Sequence, residues 1–172
     1  MGGFGWVGKE GSQGGERANF WHAVTGDLHM NLSNDSEPET GKIEAYRVSE
    51  HARMGTLPRH FGRHMMTVEG KIYDLLREFS ADYTGGYWHF FELSNGGFYM
   101  APALDTLRVC IPSNGYEGQM SGDAAGVTVC LFAFSLLSFQ YRETEVFSRH
   151  FHRLRDFALG HAEATQIFAA ID

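Results

Sequence analysis

From Ala124 to Gln140 the chain carries no charged side chain, and this stretch constrains the fold more than any other. A helix that is apolar on nearly every side has no polar face to turn to water, so other elements must surround it. The stretch is shorter than the ~20 residues of a bilayer span, and Gly126, Thr128, Ser135 and Ser138 interrupt it. A central core helix is expected over Gly122 to about Phe139, with no membrane partner. Ser121 stands where an N-cap belongs, and Asp123 places a carboxylate at the positive helix end.

The elements that surround this helix are legible on both sides. Val68, Ile72, Leu75, Leu76 and Phe79 recur at helical spacing, which predicts a helix over about Met66 to Phe79 with Thr67 as its N-cap. Leu57 to Gly62 reads as a loop punctuated by Pro58 and Gly62. A strand is expected over Tyr87–Leu93, a turn over Ser94–Gly97, and a return strand over Phe98–Ala101 stopped by Pro102. Further strands are expected over Leu107–Ile111 and Tyr116–Met120. Helices are expected over Thr144–Leu159, ended by Gly160, and over Ala162–Ile171. The fold class is therefore α+β: a helix, then a 3–4-stranded antiparallel sheet, with C-terminal helices packed on one face.

With 172 residues, the chain suits one domain. Seven glycines fall within the first fifteen residues, and Asn31 to Lys42 is again polar. Residues 1–48 are accordingly expected to form a disordered extension, and residues 49–172 the working domain. Gly3, Gly5 and Gly8 have the spacing of a nucleotide-binding loop, but Trp6 and Val7 fill it and no strand precedes it. Met30 is an in-frame candidate start, which would place residues 1–29 outside the native product.

A net charge of −7 argues against a sequence-independent grip on nucleic acid. DNA mimicry would need carboxylates repeating along a surface. The densest acidic run is Asp35, Glu37 and Glu39, broken by Pro38. Cys110 and Cys130 read as two buried free thiols of a reducing, cytoplasmic protein. His60 and His64 have zinc-compatible spacing, but Pro58 and Gly62 disfavour a helix there. His89 reads as a packed core histidine, and N-capping accounts for Ser121. Glu69, Glu92 and His89 would make a hydrolase only if they met in one pocket. Arg142, Arg149, Arg153 and Arg155, with His150 and His152, are the best candidate nucleic-acid patch, supporting an alternative reading as a nucleic-acid-binding regulator that uses the helix over 144–159. Glu143, Glu145 and Asp156 are interleaved with them, and an ordinary solvated helix face is the expectation.

In the strand over Tyr87–Leu93, alternation puts Trp88, Phe90 and Glu92 on one face and Tyr87, His89, Phe91 and Leu93 on the other. A Trp beside a carboxylate suits a binding hot spot, but a Trp that caps the core beneath a helix is the first expectation.

The run Tyr83-Thr84-Gly85-Gly86-Tyr87-Trp88-His89-Phe90-Phe91-Glu92-Leu93, continuing through Ser94–Gly97 to Phe98-Tyr99-Met100-Ala101-Pro102, resembles the signature of the ArdB/KlcA antirestriction family. Leu57–Gly62, Met120–Gly126 with Cys130, and the stretch from Tyr141 through His152–Ala158 to Ala170–Asp172 match in the same order. The resemblance covers about Ser49 to the C-terminus. It implies a protein encoded by plasmids, prophages or other mobile elements that relieves host type I restriction of incoming DNA. It also implies binding to the type I restriction enzyme complex, or to a host factor controlling it, without DNA mimicry, stable DNA binding, cofactor or catalytic residues. Among the matched positions, Arg53, Glu69, Trp88 and Glu92 are those that the core does not obviously need, and they are the expected protein-interaction residues. On that reading Trp88→Ala would abolish protection and leave the thermal melt nearly unchanged.

Overall fold

The computed structural model describes residues 41–172. The nucleotide-loop spacing, Met30 and most of the expected disordered extension lie outside them. The described chain forms β1 (Ala45–Arg47), α1 (Glu50–Phe61), a 3-10 turn (Gly62–His64) and α2 (Met65–Phe79). It continues through β2 (Trp88–Leu93), β3 (Phe98–Pro102), β4 (Thr106–Ile111) and β5 (Tyr116–Ser121) to the helices α3 (Gly122–Gln140), α4 (Val146–Leu159) and α5 (Ala164–Ile171).

Helix α3 occupies the centre, as its lack of charge requires. Val127, Cys130, Leu131, Phe134 and Leu137 are fully or almost fully buried, and α2, α4, α5 and β3 pack around the helix. Two glycines set how closely it approaches. A Cβ on Gly126 would fall 2.6 Å from the Cα and Cβ of Ala101 and from the Met100 carbonyl, and one on Gly122 would fall 2.2 Å from the Leu104 carbonyl. Helix and strand therefore meet backbone to backbone. The Cys130 thiol lies along the outer edge of β3, accepting from the Met100 N–H at 3.4 Å and donating to its carbonyl at 3.5 Å. A helix thus closes a sheet edge that would otherwise be open to another strand.

The strands divide into two sheets rather than one: a three-stranded sheet in the order β1-β2-β3 and a separate hairpin β4-β5, all antiparallel. His89 pairs with Ala101 and Phe91 with Tyr99. The β2–β3 turn uses Gly96 at φ 77, a left-handed conformation that glycine adopts without a Cβ penalty.

Several expectations need correction. Order begins before Ser49, because Ala45–Arg47 forms an edge strand, held by Ser94 N–H to the Glu44 carbonyl at 2.9 Å and Val48 N–H to the Phe90 carbonyl at 2.8 Å. Leu57–Gly62 is not a loop; α1 runs through Pro58 to Phe61. A proline inside a helix costs about 3 kcal/mol, but Thr56, Leu57 and Phe61 are all buried from this helix, and core burial of Leu57 and Phe61 offsets that cost. Gly62, at φ 53, then turns the chain into the 3-10 segment. Consequently α2 starts at Met65, with His64 rather than Thr67 at its N-cap position. Gly160 does follow α4, but at φ −97 rather than in the left-handed form. Cys110 is exposed on the outward alternation of β4, whereas Cys130 is buried.

Candidate functional site

The four expected interaction residues do not form one exposed patch. Trp88 is 1% exposed. Its indole Nε1–H donates to the Tyr83 hydroxyl at 2.9 Å, and its ring lies 5.1 Å from that of Tyr73. Arg53 reaches back from α1 to donate to the Trp88 carbonyl, with its guanidinium 4.5 Å from the Tyr87 ring centre and 4.3 Å from that of Phe90. Glu69 accepts from the Tyr73 hydroxyl at 3.1 Å. Burial first, then the Glu69 carboxylate, pushes the Tyr73 phenol up, so it remains a donor. Arg53, Glu69 and Trp88 therefore converge around Tyr73 and brace the covered face of β2. The physical reason is simple: α1 and α2 lie over that face, so Trp88 caps the core beneath helices and cannot serve as an exposed hot spot.

Glu92, at the other end of β2, is half-exposed and pairs with Arg59 and with His60 Nε2 at 3.3 Å. Behind it lies a buried aromatic cluster. The His60 ring packs 5.1 Å from Phe98 and 5.1 Å from His150, and Phe61 and Phe134 pack on His150. Burial, reinforced by Arg59 and Arg153, lowers His60 to about 4. Burial, with His60 and Arg153, lowers His150 to about 3. Both rings are neutral in the folded protein at pH 7. Their depressed values mean that stability is present above the unfolded histidine value of ~6.5 and falls as pH drops toward about 4, because the unfolded chain takes up protons that the folded one refuses. A urea-unfolding series is expected to lose roughly 1.4 kcal/mol per pH unit for each histidine across that window, and His150→Phe should make the slope shallower. Among the described residues no three His, Cys, Asp or Glu side chains are placed to hold a metal ion.

On the opposite face of the three-stranded sheet Leu93 and Tyr99 are covered, and the face opens only toward Tyr87, His89 and Phe91. A groove of about 420 Å³ runs over it, floored by His89, Phe91 and Ala101 and walled by the β3–β4 loop at Leu104 and Asp105 and by the start of α3 at Ser121 and Asp123. Phe91 stacks on Tyr99 at 4.7 Å, and Tyr99 stacks on Phe157 at 5.5 Å. Asp123 accepts from the Tyr99 hydroxyl at 2.9 Å and from His161 Nε2 at 2.9 Å. His161 Nδ1 accepts from the Glu163 N–H at 3.0 Å, so both ring nitrogens are in use and neither is left as a free base. Ser121 caps α3 by accepting from the Ala124 N–H at 3.1 Å, while its own hydroxyl and N–H donate to Glu163. This hydrogen-bonded array ties α3 to the α4–α5 connection and fixes one wall of the groove.

The family model described as "Antirestriction protein" matches residues 81–172. An antirestriction protein KlcA from Escherichia coli is 39% identical over 146 residues, covering 82% of this chain and 100% of its own length. A second KlcA from the same species is 42% identical over 137 residues, covering 76% of this chain and 94% of the relative. The chain belongs to the antirestriction protein family.

A solved structure from the KlcA and ArdB proteins agrees, with a TM-score of 0.70 at 39% identity over 82% of this chain and 100% of that one. Those proteins are described as having a novel fold and antirestriction activity against type I DNA restriction systems in vivo but not in vitro. Coverage of 82% exceeds what the chain from Ser49 onward contains, so this antirestriction protein resembles KlcA upstream of Ser49 as well, contrary to the narrower expectation.

The remaining constellations do not assemble into sites. His89 and Glu92 lie on opposite faces of β2, and Glu69 is held by Tyr73, so the hydrolase grouping does not form. Arg153 donates to the Gly96 carbonyl at 2.9 Å, Arg142 donates to the Phe139 carbonyl at 3.3 Å, and Arg155 lies over Phe168. With His150 buried, Arg149 and His152 are the members of the expected basic patch that remain exposed on helix α4 of this antirestriction protein. Sequence reasoning missed the groove: its walls come from residues far apart in the chain, and only the outward alternation of His89 and Phe91 pointed toward it.

Proposed function

We propose that this protein relieves type I restriction of incoming DNA by non-catalytic binding, either to the restriction enzyme complex or to a host factor that controls it, in the cytoplasm. The observation that carries this reading is the 39% identity to KlcA across that protein's whole length. The activity described for KlcA and ArdB, present in vivo and absent in vitro, favours a cellular factor over the isolated enzyme as the target. Binding is favoured over turnover because the histidine and serine beside the groove are held in structural roles: His161 uses both ring nitrogens, on Asp123 and the Glu163 N–H, and Ser121 caps α3 and donates to Glu163. Binding to DNA is disfavoured by the net charge of −7 and by the engagement of Arg153 and Arg155 of α4 with the protein's own surface.

Two experiments test the reading. Expression in a host with a type I system should raise the plating of unmodified phage toward that on a host lacking the system; unchanged plating would contradict it. Titration of labelled duplex DNA with the purified protein at low salt should show no binding. Binding that weakens steeply with salt would instead support direct phosphate contact.

A further inference from the structure

The groove beside His89 and Phe91 combines two properties that together specify an occupant. It is walled by carboxylates: Asp123, with 42% of its side chain exposed, and Asp105, which is exposed and has no counter-ion among the described residues. It has apolar surface beside them, in the stacked ring of Phe91 and in Leu104 at 40% exposure. The positive end of α3 does not invite an anion, because Asp123 already occupies it and Ser121 satisfies the Ala124 N–H. Phosphates would meet two carboxylates at this wall and are repelled. A guanidinium or ammonium group would meet carboxylates that Tyr99 and His161 hold in place, and an aromatic ring it can lie against.

We propose that this groove is the docking site for the protein partner, and that it receives an arginine or lysine side chain from an extended segment of that partner. The inference deepens the binding reading above and names the surface and the chemistry of its target. A second groove of about 550 Å³, lined by Ala45, Tyr46, Phe157 and His161, adjoins it across the Asp123–His161 bond. It extends the surface along which the rest of such a segment would lie.

The test separates this inference from the cellular function. The purified protein is titrated with a blocked pentapeptide carrying arginine between two leucines, and with its glutamate counterpart, while backbone amide shifts are followed by NMR. The arginine peptide is expected to give saturable shifts at Phe91, Leu104, Asp105 and Gly122, and the glutamate peptide none. Asp105→Lys should weaken the arginine peptide about tenfold, equivalent to roughly 1.4 kcal/mol, with a thermal melt within about 2 °C of the parent because the residue is exposed and unpaired. In cells the same variant should lose restriction relief. Equal shifts with both peptides, shifts outside the groove, or indifference to Asp105→Lys would overturn the docking site even if the parent protein relieves restriction. Failure of the parent to relieve restriction would count against the functional reading alone and leave the peptide result to stand by itself.

Discussion

Gly126→Ala is expected to destabilise the protein by about 3 kcal/mol, lowering Tm by roughly 10 °C. In an exposed helix interior the same change would stabilise by up to about 1 kcal/mol, because alanine is the better helix former. Here the sign reverses. The new methyl would fall 2.6 Å from Ala101 and from the Met100 carbonyl, which is backbone and strand side chain rather than the end of a flexible one. To make room, α3 must withdraw from β3, and the contacts of Cys130 with both main-chain groups of Met100 lengthen with it. Gly55 in α1 and Gly70 in α2 are the controls. A Cβ at either meets nothing within 4 Å, so alanine there should be neutral or stabilising. Urea unfolding of the three variants measures the contrast directly. A Gly126→Ala protein as stable as the parent would mean that α3 does not press on the strand as described.

Trp88→Ala is the second large effect, an expected loss of about 3–5 kcal/mol. The indole is 1% exposed and packs on Tyr73 and Tyr83, so its removal opens a cavity and leaves the Tyr83 hydroxyl without its donor. Trp88→Phe should retain much of the packing and lose chiefly the hydrogen bond. Restriction relief by Trp88→Ala is then expected to fall in step with the folded fraction, and to return when the temperature is lowered. A variant with an unchanged melt and no activity would restore Trp88 as an interaction residue.

The reach of the sequence differs between elements for physical reasons. Helix α3 was legible because a charge-free helix has one place to go. The β2–β3 hairpin was legible because strand alternation and a turn rich in Asn and Gly are local signals. Which face of β2 is covered was not legible: Trp88 and Glu92 alternate together, yet Trp88 is sealed under α1 and α2 while Glu92 reaches the rim. Helix α1 was hidden by Pro58, whose local cost is outweighed by tertiary burial of Leu57 and Phe61. Strand β1 was hidden by its brevity, since three residues carry no readable period. The groove required His89, Asp105 and Asp123 to meet across two strands, a loop and a helix start. No spacing rule encodes that meeting, because the residues belong to separate elements of the fold.

The central claim is that this antirestriction protein spares incoming DNA from type I cleavage. The most direct measurement is transformation of a restricting host, with and without the protein, by two otherwise identical unmodified plasmids, one carrying type I recognition sites and one lacking them. The protein should raise recovery of the site-bearing plasmid to that of the site-free plasmid and leave the site-free plasmid unchanged. Recovery of the site-bearing plasmid that stays low in the presence of soluble, folded protein would contradict the account.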